Sequence, residues 1–252
     1  MSETNRYFLE LSYKGTAFHG WQIQNNAFTV QECLESALST YLRQPITVMG
    51  SGRTDTGVHA TMQVCHFDLK EGELGENFLK GINSILPREI SIHSVRPVKP
   101  DAHARFDAFQ RSYFYRIIFR KSPFLDELAW LYFHPLDIEK MNLAAQVLLR
   151  HHDFECFSKV HTEVTHFRCQ IFSARWEQKD DQLLFHITAN RFLRGMVRAI
   201  VGTLIEVGLG FRKVEDLDEL ILSRNRAKAG KAAPAKGLFL CQILYPKDIY
   251  LD

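Results

Sequence analysis

The chain has 252 residues, of which 46% are hydrophobic and 24% are charged, and its formal net charge at pH 7 is +2. This length and apolar content allow one large domain or two smaller units, and they exclude an intrinsically disordered chain. The nearly balanced net charge alone neither favours nor excludes an anionic partner. Positive charge is concentrated late in the chain, since residues 191–236 contain ten basic and five acidic side chains.

The five cysteines are far apart in the sequence and predict small buried side chains rather than a metal site. No two of them form a C-x-x-C pair, and no Cys/His cluster has the spacing of a metal-ligand set. Residues 1–13 lack the apolar run of a signal peptide, and no stretch approaches the roughly 18 apolar residues of a membrane span. These features predict a cytoplasmic protein without a metal ion.

In chain order, the first half of the sequence predicts a βαββαβ unit. Its first helix has apolar residues at helical spacing and opens with a capping box, in which Thr29 is followed three residues later by Glu32. The predicted strands are 6–13, 46–50, 62–69 and 90–98, and the predicted helices are 29–42 and 76–86.

The second half repeats this order of elements with one extra helix, although the residues themselves do not repeat. The predicted strands are 104–120, 167–178, 182–190 and 238–246, and the predicted helices are 137–150, 192–208 and 214–222. Two such units predict an α+β fold of two ferredoxin-like halves that share a continuous, mainly antiparallel sheet. We expect the halves to be residues 1–100 and 101–252, with the junction at 99–103.

The stretch GSGRTDTGVHA, residues 50–60, contains one carboxylate in a segment too rich in glycine for a helix and too polar for a core. Loops rich in Gly, Ser, Thr and Asp are common because these residues form turns and cap helices. On spacing alone, this structural explanation of Asp55 is the more frequent one.

Three chemical interpretations of Asp55 compete with the turn. The sequence Asp55-Thr56-Gly57 matches the D-T-G of aspartic proteases, but those enzymes need two carboxylates, and the chain has no second D-T-G or D-S-G. A phosphate-binding loop would require a lysine that does not follow these glycines. The third interpretation is a single nucleophilic carboxylate, because an aspartate is already ionised at neutral pH.

Residues 52–60, GRTDTGVHA, resemble the signature of the TruA-type tRNA pseudouridine synthases. Six further blocks resemble segments of the same family in the same order, so the resemblance extends over nearly the whole chain. These blocks are YKGTAFHGWQIQ (13–24), VQECLESAL (30–38), HARFDA (103–108), RSYFYRI (111–117), ANRFLRGMVRAIVGTLIEVG (189–208) and AKGLFLCQILYP (235–246).

The resemblance implies the pseudouridine synthase fold and an isomerase that needs no metal or organic cofactor. Enzymes of this type detach uracil from ribose, turn the base and rejoin it through carbon, acting on uridines at positions 38, 39 and 40 of the tRNA anticodon stem-loop. A uridine within a stem must leave its stack before its glycosidic bond can be attacked, so a base-flipping pocket is expected. Family members usually form dimers, so the resemblance also implies a homodimer.

The resemblance assigns roles to four residues. Asp55 is the expected catalytic aspartate, and three roles stay open for it: attack on ribose C1′, attack on uracil C6, or deprotonation of the sugar. Tyr113 is expected to stack on the base and assist proton transfer, although its alternation with Tyr115 on one strand face also suits a core aromatic. Arg198 is expected to pair with Asp55, and Arg53 to hold the flipped nucleotide. A solvated charge is the alternative for both arginines.

Basic side chains near the end of the chain give weaker, independent support for RNA binding. Arg191 and Arg194 join Arg198 at the spacing i, i+3, i+7, which suits either phosphate contacts or a solvated helix face. The acid-free segment SRNRAKAGKAAPAKG, residues 223–237, suits either an arm that follows a phosphate backbone or a solvated linker. The candidate RNA-binding residues of this arm are Arg224, Arg226 and Lys228.

A non-catalytic ferredoxin-like RNA-binding module is the alternative function. Such modules present a sheet face to single strands, and they carry an aromatic signature of the RNP type. The sequence lacks that signature, and this function leaves Asp55 without a role.

Overall fold

The computed structural model describes residues 5–70, 74–160 and 165–251. The strands are β1 (Asn5–Tyr13), β2 (Met49–Gly50), β3 (His59–Leu69), β4 (Ile90–Val98), β5 (Gln110–Ile118), β6 (Trp130–Leu131), β7 (Ile171–Lys179), β8 (Gln182–Ala189) and β9 (Leu238–Leu244). The helices are α1 (Val30–Leu42), α2 (Phe78–Ile85), α3 (Ile138–Val147), α4 (Met196–Gly208) and α5 (Asp216–Leu222). The predicted α+β class and mainly antiparallel sheet are confirmed. No helix in the described ranges is both long enough and apolar enough to cross a lipid bilayer.

The chain divides into two compact units. The first consists of Met1–Phe109 and Leu240–Asp252, and the second of Gln110–Phe239. Most of β9 belongs to the first unit because this strand follows β3 in the sheet order β4-β1-β3-β9. The predicted halves, 1–100 and 101–252, count the last strand with the second half, and that division stays a prediction.

In the first unit, β1 pairs antiparallel with both β3 and β4, so that Leu9 lies opposite Cys65 on one side and Val95 on the other. Helix α1 begins at Val30 because the Thr29 hydroxyl accepts a hydrogen bond from the Glu32 backbone N–H at 3.3 Å. The buried face of α1 and that of α2 supply the apolar residues that cover this core, namely Val30, Leu34, Ala37, Leu38, Phe78 and Ile82.

In the second unit, the strand order is β5-β8-β7, and both of these pairings are antiparallel. The short β6 pairs with β5 in parallel. Tyr115, Phe185 and Trp176 lie side by side across the three strands and are buried. Helix α3 is fixed to β7 by Asn142, whose amide accepts from the Trp176 N–H at 2.7 Å and donates to the Trp176 carbonyl at 3.1 Å.

Several predicted elements begin later than the sequence pattern indicates. The strand predicted from residue 104 begins at Gln110, because residues 103–107 form a turn in which the Asp107 carboxylate accepts from the His103 N–H at 2.6 Å. The helix predicted from residue 192 begins at Met196, after Gly195 with a left-handed φ of 72°. Arg191 and Arg194 therefore precede α4, and the predicted helical stripe that joins them to Arg198 is wrong.

Other predicted strands are also shorter than expected. The strand predicted at 46–50 contains only Met49 and Gly50, and the one predicted at 167–178 begins at Ile171. Strand β6 was not predicted, because two residues are too few to show a period of two.

Candidate active site

Asp55 lies in the loop of residues 51–58, which joins β2 to β3. The backbone is fixed at both ends: the Ser51 N–H donates to the Val64 carbonyl at 2.8 Å, and the Val58 N–H donates to the Asp55 carbonyl at 3.1 Å. The second bond closes a turn with Gly57 at a φ of 76°, a conformation that favours glycine. The Asp55 side chain is half-buried.

A second segment of the first unit supports this loop from outside. The Trp21 N–H donates to the Thr54 carbonyl at 3.2 Å, and the Tyr13 hydroxyl is hydrogen-bonded to the buried Thr54 hydroxyl at 2.9 Å. Gly20 lies so close that a Cβ there would be 2.5 Å from the Thr54 carbonyl oxygen and 3.2 Å from the Asp55 carbonyl carbon. The block at residues 13–24 thus holds the backbone of Thr54 and Asp55 in place.

Arg53 is exposed on the same loop, next to the buried Thr54. The backbone before Arg53 is fixed by Gln63, which accepts from the Ser51 hydroxyl at 2.5 Å and donates to the Gly52 carbonyl at 3.1 Å. This placement is compatible with both the predicted nucleotide contact and a solvated charge.

Tyr113 lies near the start of β5 in the second unit, opposite Ile187 of β8. Its ring meets Phe192 edge-on, with 5.1 Å between the ring centroids and 87° between the ring planes. Tyr113 is half-buried, whereas Tyr115 and Ile117 farther along the same face are fully buried. The core explanation therefore accounts for Tyr115 and Ile117 better than for Tyr113.

Arg198 lies in the first turn of α4 and is half-buried. Its Nε donates to the Ala233 carbonyl at 2.7 Å, and the Ala233 N–H donates back to the Arg198 carbonyl at 2.9 Å. A side chain held in this way is not a freely solvated helix position. Sequence reasoning missed Ala233, because a backbone carbonyl leaves no signal in the residue type.

The two arginines that precede α4 have separate surroundings. The Arg191 guanidinium lies 3.3 Å from a ring nitrogen of His166. Arg194 is exposed, and its backbone carbonyl accepts from the Lys159 N–H at 2.9 Å. The structure does not arrange these two side chains with Arg198 on one helix face.

The basic arm at residues 223–237 is partly tied to the second unit. Arg224 forms an ion pair with Asp153 at 3.1 Å. Arg226 donates to the carbonyls of Ala229 and Gly230 at 3.3 and 3.2 Å, so its side chain stabilises the arm itself. Lys228 is exposed. Across the described ranges, no group of three or more His, Cys, Asp or Glu side chains could hold a metal ion.

Comparison with known proteins identifies the family. A family model described as tRNA pseudouridine synthase matches residues 11–107 and 144–246. The tRNA pseudouridine synthase A of Bacteroides fragilis is 49% identical over 247 residues, which are 97% of this chain and 98% of that protein. The protein of the same name from Bacteroides thetaiotaomicron is 49% identical over 98% of this chain and 93% of its own length. That from Thermoanaerobacter sp. is 38% identical, and the corresponding shares are 93% and 97%.

These matches extend over nearly the full length of the chain and of its relatives. The chain belongs to the tRNA pseudouridine synthase family. It is accordingly assigned to the isomerases that convert uridine to pseudouridine in tRNA, which confirms the predicted family, enzyme class and RNA substrate. The alternative of a non-catalytic RNA-binding module is set aside. The roles of individual residues stay predictions.

Proposed function

We propose that this chain isomerises uridines at positions 38, 39 and 40 of the tRNA anticodon stem-loop, with Asp55 as the nucleophile. The observation that carries this proposal is the fixed backbone on both sides of Asp55. Gly20, Trp21 and Tyr13 contact the loop from one segment, and the Val58 N–H closes the turn by donating to the Asp55 backbone carbonyl. A nucleophile held in this way loses little conformational freedom when it reaches the reacting atom.

The chemistry needs one nucleophile and no change of oxidation state. The bond between N1 of uracil and C1′ breaks, a bond between C5 and C1′ forms, the proton on C5 is lost and N1 gains a proton. A carboxylate can form a transient covalent bond with C1′ or with C6 while the base turns. Deprotonation of the sugar would use the same oxygen atoms as a base.

Three further residues complete the proposed catalytic machinery. Tyr113 stacks on the uracil and assists proton transfer at C5, and Arg53 holds the nucleotide after it has left the stem. Arg198 supplies the positive charge that keeps Asp55 ionised when the substrate excludes water. We further propose that the protein acts in the cytoplasm, as its sequence composition predicts, and as a homodimer, which rests on the family resemblance alone.

Replacing the carboxylate tests the proposal directly. Asp55→Asn and Asp55→Ala should reduce isomerisation of an anticodon stem-loop below about one per cent of wild type, because an amide or a methyl group cannot act as the nucleophile. Pseudouridine is measured by carbodiimide labelling, and folding and RNA affinity should stay close to wild type.

A matched control is Asp180→Asn, an exposed aspartate in the turn between β7 and β8. Its φ of 52° suits asparagine equally well, so this variant should keep full activity. Substantial turnover by Asp55→Asn would show that another group is the nucleophile.

A further inference from the structure

Residues 226–234, which we call the strap, lie along α4 within the second unit. The buried Gly230 N–H donates to the Thr203 hydroxyl at 2.9 Å. Three residues farther on, Ala233 exchanges two hydrogen bonds with Arg198, at 2.7 Å to its Nε and 2.9 Å to its carbonyl. The strap is thus attached to α4 at two successive turns of the helix.

Two facing glycines allow this close approach. A Cβ on Gly202 would overlap the Lys231 carbonyl oxygen, and one on Gly230 would lie 2.8 Å from the Thr203 nitrogen. Neither position has room for a side chain. The backbones of α4 and the strap are therefore in direct contact, and a movement of the strap would displace the Ala233 carbonyl.

Side chains hold the strap from its other sides. Arg212 donates to the Lys228 carbonyl at 2.9 Å and also to Glu206. The Tyr115 hydroxyl donates to the Pro234 carbonyl at 2.8 Å, and burial raises the pKa of this phenol, so that it stays protonated. The anchored carbonyls of Lys228 and Pro234 lie before and after Ala233 in the chain.

We propose that the strap is a positioning element for Arg198, and that Thr203 is a positioning residue that acts through it. The Ala233 carbonyl binds the Nε–H, and this bond sets the plane of the guanidinium group and hence the direction of its remaining donors. A lysine has no planar fork, so a hydrogen bond from its ammonium group to this carbonyl would not fix the direction of its other donors. The inference rests on the proposed role of Arg198 in catalysis.

The test compares Thr203→Val with Thr203→Ser. Valine has nearly the shape of threonine but leaves the buried Gly230 N–H without its acceptor, whereas serine keeps the hydroxyl. At saturating stem-loop RNA, Thr203→Val should lower kcat by about tenfold or more, since small displacements of a positioned group have large effects. KM and the RNA dissociation constant should change little, and Thr203→Ser should restore most of kcat.

A double-mutant cycle separates positioning from a general loss of stability. In an Arg198→Lys background the Nε–H is absent, so Thr203→Val should lower kcat much less than it does in wild type. The same fold-loss in both backgrounds would overturn the proposal, and so would an unchanged kcat of Thr203→Val in the wild-type background. All assays are run well below the measured Tm of each variant.

Two further variants keep the outcome interpretable. If Thr203→Val does not fold, Arg212→Gln removes a different anchor of the strap and should show the same dependence on Arg198. If Asp55→Ala and Arg198→Met are inactive while Thr203→Val is fully active, the positioning role of the strap is overturned and the proposed function is not. Full activity of Asp55→Ala would instead overturn the proposed function.

Discussion

Tyr113 is the residue at which a packing role and a chemical role are hardest to separate. Its ring lies at one end of the buried face of β5 and contacts Phe192. Tyr113→Phe keeps this ring and removes only the hydroxyl. We expect RNA affinity to be retained and the single-turnover rate to fall by about a hundredfold, the size typical of a lost proton-transfer group.

The control for this prediction is Tyr41→Phe. Tyr41 also packs edge-on against a phenylalanine, Phe78, but it lies on α1 in the first unit. This variant should be fully active. A fully active Tyr113→Phe would mean that the hydroxyl has no part in the chemistry and that stacking alone explains the residue.

At the scale of single residues, the sequence singles out those whose chemistry is unusual for their setting. Asp55 stands out because a lone carboxylate in a glycine-rich loop is open to a chemical interpretation. Thr203 and Ala233 do not stand out, because a buried hydroxyl and a backbone carbonyl are common, and their partners lie about thirty residues away in the sequence. Such hydrogen bonds depend on tertiary packing, which spacing rules do not describe.

For helices and strands too, the sequence predicts one part well, the interior, and another part less well, the ends. Periodicity predicts the interior of all five α-helices in the described ranges, and the apolar face of each one is buried. The predicted end positions are less accurate because the ends depend on local backbone geometry. Examples are the left-handed Gly195 before α4 and the hydrogen-bonded turn at His103 before β5.

The basic arm, residues 223–237, has two proposed roles, which are to support the strap and to contact the RNA backbone. Different substitutions can separate these roles. Arg226 supports the strap, so its removal would mix two effects. Changing Arg224 and Lys228 together to Ala should reduce the slope of log affinity against log salt by about 0.7–0.9 for each phosphate that the arm no longer neutralises. The Michaelis constant should rise, and the single-turnover rate at saturating RNA should stay unchanged.

Binding is measured between low and moderate salt, with Lys179→Ala, an exposed lysine at the end of β7, as the matched control. RNA must compete with Asp153 for Arg224, so the larger part of the change should come from Lys228. An unaltered slope for the double variant would mean that the arm does not bind the RNA backbone.

For the molecule as a whole, the stability of the folded chain should depend on pH through His66. This ring is 8% exposed, and its Nδ1 accepts from the Ala104 N–H at 3.1 Å. Burial, with a smaller effect from Arg6, lowers the pKa of His66 to about 4. In the unfolded chain the pKa is about 6.5, so the unfolded state binds more protons between these two values.

The stabilisation by neutral His66 is therefore complete above about pH 6.5 and is lost as the pH falls towards 4. We expect the free energy of unfolding to fall by about 2 kcal/mol between pH 7 and pH 5 from this group. Urea unfolding at both pH values measures the difference. His66→Asn keeps an acceptor without a titrating ring, so its stability should change less, and an identical fall would assign the effect to other groups.

The position of β9 has a consequence for the order in which the protein folds during its synthesis. The segment after Leu240 completes the first unit, where the Leu251 N–H donates to the Pro97 carbonyl and the Lys99 N–H donates to the Ile249 carbonyl. On the ribosome, β1, β3 and β4 emerge early, but the strand that follows β3 in their sheet emerges last. The contiguous second unit can complete its own core before the unit that precedes it. A stalled nascent chain therefore leaves an edge of β3 open, and open edges are the surfaces that chaperones must protect from aggregation.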